Sequence, residues 1–210
     1  MALPRISPYP LPGPDAIPAP KVPWRVDPDR AVLLAHDLQN HFLAAFTPAA
    51  PPLAPALANT ARLLQWARGL GMPVVYSHQR GGQTPAERGL QQDFWGPGLP
   101  ADAHAQAVPD IVAPVEGDTL LTKWKYSAFV RTDLAEQLAA AGRDQLVIVG
   151  VYAHIGVLMT ACDAWMRDIE AFVVADAVAD FDEQRHHEAL RWAAEKCAVV
   201  VGTEQLLEGK

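Results

Sequence analysis

The chain has few cysteines, no long apolar run and no excess of positive charge, and each shortage excludes a class of protein. Its 210 residues include only Cys162 and Cys197, which is too few for a disulfide framework and is typical of free thiols in a reducing cytosol. No apolar run approaches the roughly 20 residues of a membrane helix, and the N-terminus lacks the pattern of a signal peptide. The net charge of −7 argues against nucleic-acid binding. We therefore expect a soluble, cytoplasmic protein that binds neither membranes nor nucleic acid.

Proline, in contrast, is plentiful and is concentrated at the start of the chain, as in the segment PYPLPGPDAIPAPKVPW. Because proline lacks an amide hydrogen, residues 1–28 are predicted to form an extended arm. Tyr9 and Trp24 favour an arm that wraps over the protein, because aromatic rings gain from burial. The remaining residues, 29–207, are enough for one domain with a full core.

Short apolar runs alternate with helical patterns along this domain. Strands are predicted at 31–36, 74–77, 119–122, 146–149, 171–175 and 198–201, and helices at 57–68, 133–141, 155–167 and 183–195. The alternation predicts an α/β fold, a single three-layer αβα domain with a central six-stranded, mainly parallel sheet. Residues 79–100 are predicted to be a long loop with a short helical segment, and loops of this length are usually functional or disordered. The segment DAVADF is predicted to be a loop after the fifth strand.

Three polar features follow predicted strands, and right-handed crossovers place them at one edge of the sheet. Asp37 follows the first strand, Lys123 the third and the turn 150–156 the fourth, where a helix N-terminus offers N–H groups to an anion. An acid and a base side by side stay ionised, and a dianionic ligand beside them would raise the pKa of Asp37. At this point Asp37 can equally be a turn cap, Lys123 a solvated lysine and the turn an ordinary connection.

Longer segments resemble the isochorismatase family and cover nearly the whole chain. They are HDLQNHF, DFWGPG, LLTKWKYSAF, GRDQLVIVGVYAHIGVLMTACDAWMRDI and FVVADAVADF. In the related cysteine hydrolases, which include nicotinamidase and N-carbamoylsarcosine amidohydrolase, a nucleophilic cysteine stands where this chain has Gly156. Covalent amide hydrolysis is therefore not expected. Cys162 lies nearly two helical turns further on and is expected to be a core thiol.

The resemblance implies hydrolysis of the enolpyruvyl vinyl ether of isochorismate or 2-amino-2-deoxyisochorismate, in siderophore, phenazine or related secondary metabolism. Protonated Asp37 would protonate the terminal methylene carbon, water would capture the oxocarbenium ion, and the hemiketal would release pyruvate. No metal or other cofactor is needed. The resemblance also implies a homodimer. Since the chain ends soon after the sixth predicted strand, no aryl carrier domain is expected.

The resemblance also assigns roles to single residues. Lys123 would bond to Asp37 and to a substrate carboxylate, and the amide of Gly156 would donate to a carboxylate. The remaining substrate contacts would be Gln79, Arg88, Tyr152, Phe42 and Trp95, the last two as apolar walls. A non-proline cis peptide is expected near Val151–Tyr152.

Two other functions compete with this one. An amidohydrolase of the cysteine type is disfavoured by Gly156. A non-catalytic binding protein would not need Asp37, Lys123, Gln79 and Arg88 as a set. The histidines give no better candidate: His36 and His154 are expected to be structural, adjacent His186 and His187 point in different directions, and His78 stands where the resemblance suggests a small residue.

Overall fold

A parallel sheet organises the computed structural model, which describes residues 3–209. The strands are β1 (Ala31–His36), β2 (Val74–His78), β3 (Thr119–Thr122), β4 (Gln145–Val151), β5 (Glu170–Ala179) and β6 (Ala198–Val201). Their order is β3-β2-β1-β4-β5-β6, and each neighbouring pair runs parallel. The predicted six-stranded α/β fold is confirmed.

Helices cover both faces of this sheet. They are α1 (Asn40–Leu43), α2 (Leu53–Gly69), α3 (Pro85–Arg88), α4 (Gln91–Trp95), α5 (Ala103–Gln106), α6 (Leu134–Ala140), α7 (Leu158–Trp165), α8 (Glu183–Lys196) and α9 (Thr203–Leu207), with 3-10 turns at Pro14–Ala16 and Asp110–Val112. Helices α2 and α9 contribute to the core on one face, and α6, α7 and α8 contribute to the core on the other. Among residues 3–209, no helix is long and apolar enough to cross a membrane.

Strand β1 is apolar along most of its length and does not alternate between apolar and polar residues, because both of its faces are buried. Leu33 and Ala35 belong to one core, whereas Val32 and Leu34 belong to the other. A strand that is covered on both faces has no polar side, so it reads as a continuous apolar run. The same two-sided burial explains the run LVIV in β4.

The fifth strand is longer than predicted. The first four residues of the predicted loop DAVADF continue β5 to Ala179, so the predicted end of the strand is wrong and the loop begins at Asp180. The register between β4 and β5 shifts after Ile148, which leaves extra β5 residues in a bulge. Asp176 is polar yet does not end the strand, because its carboxylate accepts hydrogen bonds from the Thr203 amide (2.8 Å) and hydroxyl (2.7 Å).

The proline-rich arm wraps over the domain, as Tyr9 suggested. Ile6 forms a β-bridge with Phe46, and both side chains are buried. The Tyr9 hydroxyl accepts a hydrogen bond from the Asp180 amide (2.7 Å) and lies 3.2 Å from Nδ1 of His186. Ile6 and Tyr9 therefore anchor the described part of the arm in the core of the protein.

Candidate active site

One cavity at the carboxyl ends of the strands brings together every residue that the sequence assigned to a site. Counted together with its open mouth, the empty space in this cavity is about 630 Å³. The predicted residues that line it are Asp37, Phe42, Gln79, Arg88, Trp95, Lys123, Tyr152 and Gly156. The sequence did not identify Leu3, Gln91, Gly98, Leu99, Tyr126, Val151, Ile155 and Phe181, which complete the lining.

A buried ion pair joins two of these residues. Nζ of Lys123 lies 2.9 Å from Oδ2 of Asp37, and the residues are only 1% and 5% exposed. Ser77 donates its hydroxyl to Oδ1 of Asp37 (2.8 Å), and Gln79 donates its side-chain amide to Oδ2 (3.2 Å). Three donors therefore fix the orientation of one carboxylate.

These neighbours control the protonation of Asp37. Burial alone would raise its pKa, but the Lys123 ammonium and the hydrogen bonds from Lys123 and Ser77 stabilise the carboxylate, and the net effect lowers the pKa. With these protein neighbours alone, Asp37 is ionised at neutral pH. A ligand that brings negative charge beside Lys123 would shift the pKa of Asp37 upward.

Lys123 has the capacity to bind such a ligand. An ammonium group carries three donors. Besides Asp37, Nζ of Lys123 donates to the Lys125 carbonyl (2.7 Å). Within the described chain these two groups leave one donor for a ligand carboxylate.

Arg88 supplies a second positive charge to the cavity. It lies at the end of α3 and is only 3% exposed, so it is not a solvated surface arginine. Its Nε donates to the Gly96 carbonyl (2.6 Å), and Gly98 lies so close to the guanidinium that a Cβ there would be 2.2 Å from Nη1. Within residues 3–209 no carboxylate forms a salt bridge with Arg88, so this buried charge is suited to an anionic ligand.

Aromatic rings form part of the cavity wall. The Tyr152 ring lies 4.6 Å from the Phe181 ring, and its hydroxyl donates to the Phe42 carbonyl (2.7 Å). Tyr152 therefore offers the cavity its ring, because its hydroxyl proton is already used. Trp95 donates its indole N–H to the Tyr126 hydroxyl (2.7 Å), which fixes that ring at the cavity. Phe94, its neighbour, is 69% exposed and does not line the cavity.

Gly156 lies in a π-helical turn, Ala153–Val157, between β4 and α7. The peptide between Val151 and Tyr152 is cis, as expected. A Cβ on Gly156 would lie 2.1 Å from Cε1 of His36, so the turn has no room for a side chain while His36 stays in place. Cys162 lies further along, on α7, and does not line the cavity.

The sequence missed Gln39, which fixes the position of Gln79. Its side-chain amide accepts from the Gln79 N–H (2.7 Å) and donates to the Gln79 carbonyl (2.9 Å). Ser77, which bonds to Asp37, was also missed. Gln39 follows β1 and Ser77 lies near the carboxyl end of β2, and a polar residue at such a position was the available signal.

The other histidines do not enter the cavity. His154 bonds to Asp180, and His186 lies between the Tyr9 hydroxyl and the Ala175 carbonyl, so both are structural. His78 does not line the cavity, and burial lowers its pKa. Among residues 3–209, no group of three His, Cys, Asp or Glu side chains could hold a metal ion.

Comparison with known proteins identifies the family. A family model described as the isochorismatase domain matches residues 31–205. The chain belongs to the isochorismatase family. It is 50% identical to an isochorismatase of Bacillus subtilis over 99% of this chain and 67% of that protein. It is 47% identical to the phenazine biosynthesis protein PhzD of Pseudomonas fluorescens over 98% of both chains.

Solved structures agree on the fold of this isochorismatase family member. The crystal structure of a cysteine hydrolase from Pseudomonas syringae pv. phaseolicola has a TM-score of 0.81, at 22% identity over 90% of this chain and 96% of that one. At this identity the likeness concerns the fold alone.

Proposed function

We propose that the protein is an isochorismatase that hydrolyses the enolpyruvyl vinyl ether of isochorismate or of 2-amino-2-deoxyisochorismate. The observation that carries this proposal is the buried Asp37–Lys123 pair in a cavity that also contains Arg88 and has no thiol at position 156. An acid next to two cations suits a reaction that protonates a dianionic substrate. The relatives named as isochorismatase and as a phenazine biosynthesis protein support the same chemistry.

The reaction begins with a proton on Asp37. The two substrate carboxylates bind Lys123 and Arg88, and their negative charge offsets the ammonium that keeps the pKa of Asp37 low. Asp37 then takes up a proton and delivers it to the terminal methylene carbon of the vinyl ether. The electron pair of the double bond forms the new C–H bond, and the ether oxygen stabilises the resulting oxocarbenium ion.

Water completes the reaction. It adds to the oxocarbenium carbon and loses a proton, which restores the neutral acid at Asp37. The hemiketal then breaks the bond between its former vinyl carbon and the ether oxygen. That oxygen takes up the hemiketal's hydroxyl proton and stays on the ring, so the products are pyruvate and a 2,3-dihydro-3-hydroxybenzoate with a 2-hydroxy or 2-amino group. The Gly156 amide donates to a substrate carboxylate. The rings of Phe42, Tyr152 and Trp95 enclose the substrate and limit access of bulk water.

Covalent amide hydrolysis, the second candidate, is disfavoured by the contact between His36 and Gly156. A thiol at position 156 would need the space that the imidazole fills. The cavity therefore contains an acid and two cations but no cysteine nucleophile at position 156.

The test is pyruvate release. The purified protein is given isochorismate and, separately, 2-amino-2-deoxyisochorismate, and Asp37→Asn is compared with the surface variant Asp29→Asn. We expect rapid pyruvate release by the wild type and by Asp29→Asn, and a loss on the order of 10²- to 10⁴-fold in Asp37→Asn. The ratio of the two substrate rates assigns the pathway. No pyruvate from either substrate would reject the proposal.

We also propose that the enzyme is a homodimer, which the family resemblance implies, and that it is cytoplasmic, which its two free cysteines favour. Light scattering on the purified protein gives its mass, and a mass of one chain at micromolar concentration would reject the dimer.

A further inference from the structure

His36 is the last residue of β1 and lies directly before Asp37, yet it has no role in the proposed chemistry. Its side chain is completely buried and does not line the cavity. Nδ1 lies 3.0 Å from the Val151 carbonyl. Because a carbonyl can only accept, Nδ1 carries the proton and Nε2 is the bare nitrogen. Nε2 has no hydrogen-bond partner within the described chain.

The ring also lies against Gly156. A Cβ on that glycine would be 2.1 Å from Cε1, 2.8 Å from Nε2 and 3.0 Å from Nδ1 of His36. Such distances are well inside van der Waals contact, so one of the two groups would have to move. The imidazole is fully buried and bonded to Val151, so a movement of the ring would break that bond or displace the groups packed around it.

We infer that His36 is a positioning residue: its imidazole reserves position 156 for glycine and holds the Val151 carbonyl at the end of β4. The first contact keeps a side chain, and therefore a thiol nucleophile, out of the turn. The second fixes the backbone that leads into Tyr152 and the Gly156 amide. Glycine at 156 and histidine at 36 then form one structural unit, although 120 positions of sequence separate them.

His36 does not supply a positive charge to the Asp37 carboxylate. Burial lowers the pKa of His36 despite the Asp37 carboxylate, whose Oδ2 is 3.8 Å from Nδ1. The ring is therefore neutral, which leaves Lys123 as the cation that balances Asp37. This agrees with a role in positioning rather than in proton transfer.

Thermal unfolding of four variants tests the steric contact: Gly156→Ala, His36→Ala, the double variant and the control Gly69→Ala, where an added Cβ meets nothing within 4 Å. We expect Gly156→Ala to lower Tm by about 5 °C or more, as overpacking does, and Gly69→Ala to leave Tm nearly unchanged. His36→Ala should lower the Tm of the wild type but raise the Tm of Gly156→Ala.

The proposal is supported if His36→Ala lowers the Tm of the wild type but raises the Tm of Gly156→Ala. If Gly156→Ala does not fold, recovery of soluble protein in the double variant supports it equally. A double variant that is no more stable than Gly156→Ala would overturn the steric part.

Activity tests the bond to Val151. Asparagine at position 36 keeps an amide N–H near the place of Nδ1, whereas leucine fills similar space without a donor. We expect His36→Asn to retain kcat within about threefold and His36→Leu to lose about tenfold or more at a comparable Tm, because small misplacement of a site is costly. Equal kcat values would overturn the positioning role. This second test rests on the proposed function, whereas the Tm comparison does not, so the two failures are distinguishable.

Discussion

Lys123 reaches across strand β2 to contact Asp37, although Lys123 follows the edge strand β3 and Asp37 follows β1. The separation of their atoms, 2.9 Å, depends on the register of three strands. In that register His36 is paired with Ser77, and His78 is paired with Thr122. The sheet therefore determines the chemistry of the site, and a shift of one residue in β3 would take the ammonium away from the acid.

Replacing Lys123 by methionine should remove most of the activity. The substitution keeps the volume but removes the ammonium that would anchor a substrate carboxylate and one of the donors that orient the Asp37 carboxylate. The pKa of Asp37 also rises without this cation, but a higher pKa does not replace the lost anchor and orientation. We expect kcat/KM for pyruvate release to fall on the order of 100-fold or more. Lys196→Met, at the exposed end of α8, is the control and should match the wild type. A near-normal rate in Lys123→Met would make the lysine a bystander.

Replacing Arg88 by lysine should weaken substrate binding more than it slows the reaction. A lysine keeps the charge but loses the planar, two-donor geometry that matches a carboxylate. We expect KM to rise about tenfold with a smaller change in kcat, measured by steady-state pyruvate release. Arg80→Lys is the matched control, because Arg80 is exposed and pairs with Glu87 outside the cavity lining. If both variants change KM equally, Arg88 does not bind the substrate.

A thiol reagent should leave the enzyme active. Neither Cys162 nor Cys197 lines the cavity, and burial raises the pKa of Cys197 to about 12. After treatment with iodoacetamide we expect the rate of pyruvate release to remain within about twofold of the untreated rate. Rapid inactivation that substrate prevents would indicate a cysteine mechanism.

The protein should become less stable as the pH is lowered, because of His186. Burial lowers its pKa to about 4, below the roughly 6.5 of an unfolded histidine, so the unfolded state binds more protons between these values. This contribution to stability is complete above pH 6.5 and is lost as the pH falls toward 4. Between pH 7.5 and 5, the free energy of unfolding should drop by about 2 kcal/mol from this group.

Urea unfolding of the wild type and of His186→Gln at both pH values measures this drop. Glutamine keeps a donor for the Ala175 carbonyl but does not titrate, so its curve should be flatter. The same drop in both proteins would place the pH dependence on other groups.

Much of this arrangement follows from local sequence. Apolar runs predicted the strands, because strands covered on both faces need apolar side chains throughout. Asp37 and Lys123 stood out because charged residues directly follow such runs, and parallel strands end at the same edge. Family resemblance supplied Gln79, Arg88 and Tyr152, and the structure places all of them on the same cavity.

What the sequence did not predict depends on contacts between distant segments. The bonds from Gln39 to Gln79 and the contact between His36 and Gly156 link residues on different strands or turns. The extension of β5 depends on Thr203, which satisfies Asp176 from beyond the next helix and strand. Local patterns contain no information about such partners.

The position of the proline-rich arm has a practical consequence for work with this enzyme. Leu3 lines the same cavity as Asp37, and Tyr9 anchors the arm to Asp180. An affinity tag fused to the N-terminus continues from the segment that forms this wall, so it can change KM without touching any other residue of the site. A tag after α9, which packs against α2 away from the cavity, leaves kinetic comparisons between variants undisturbed.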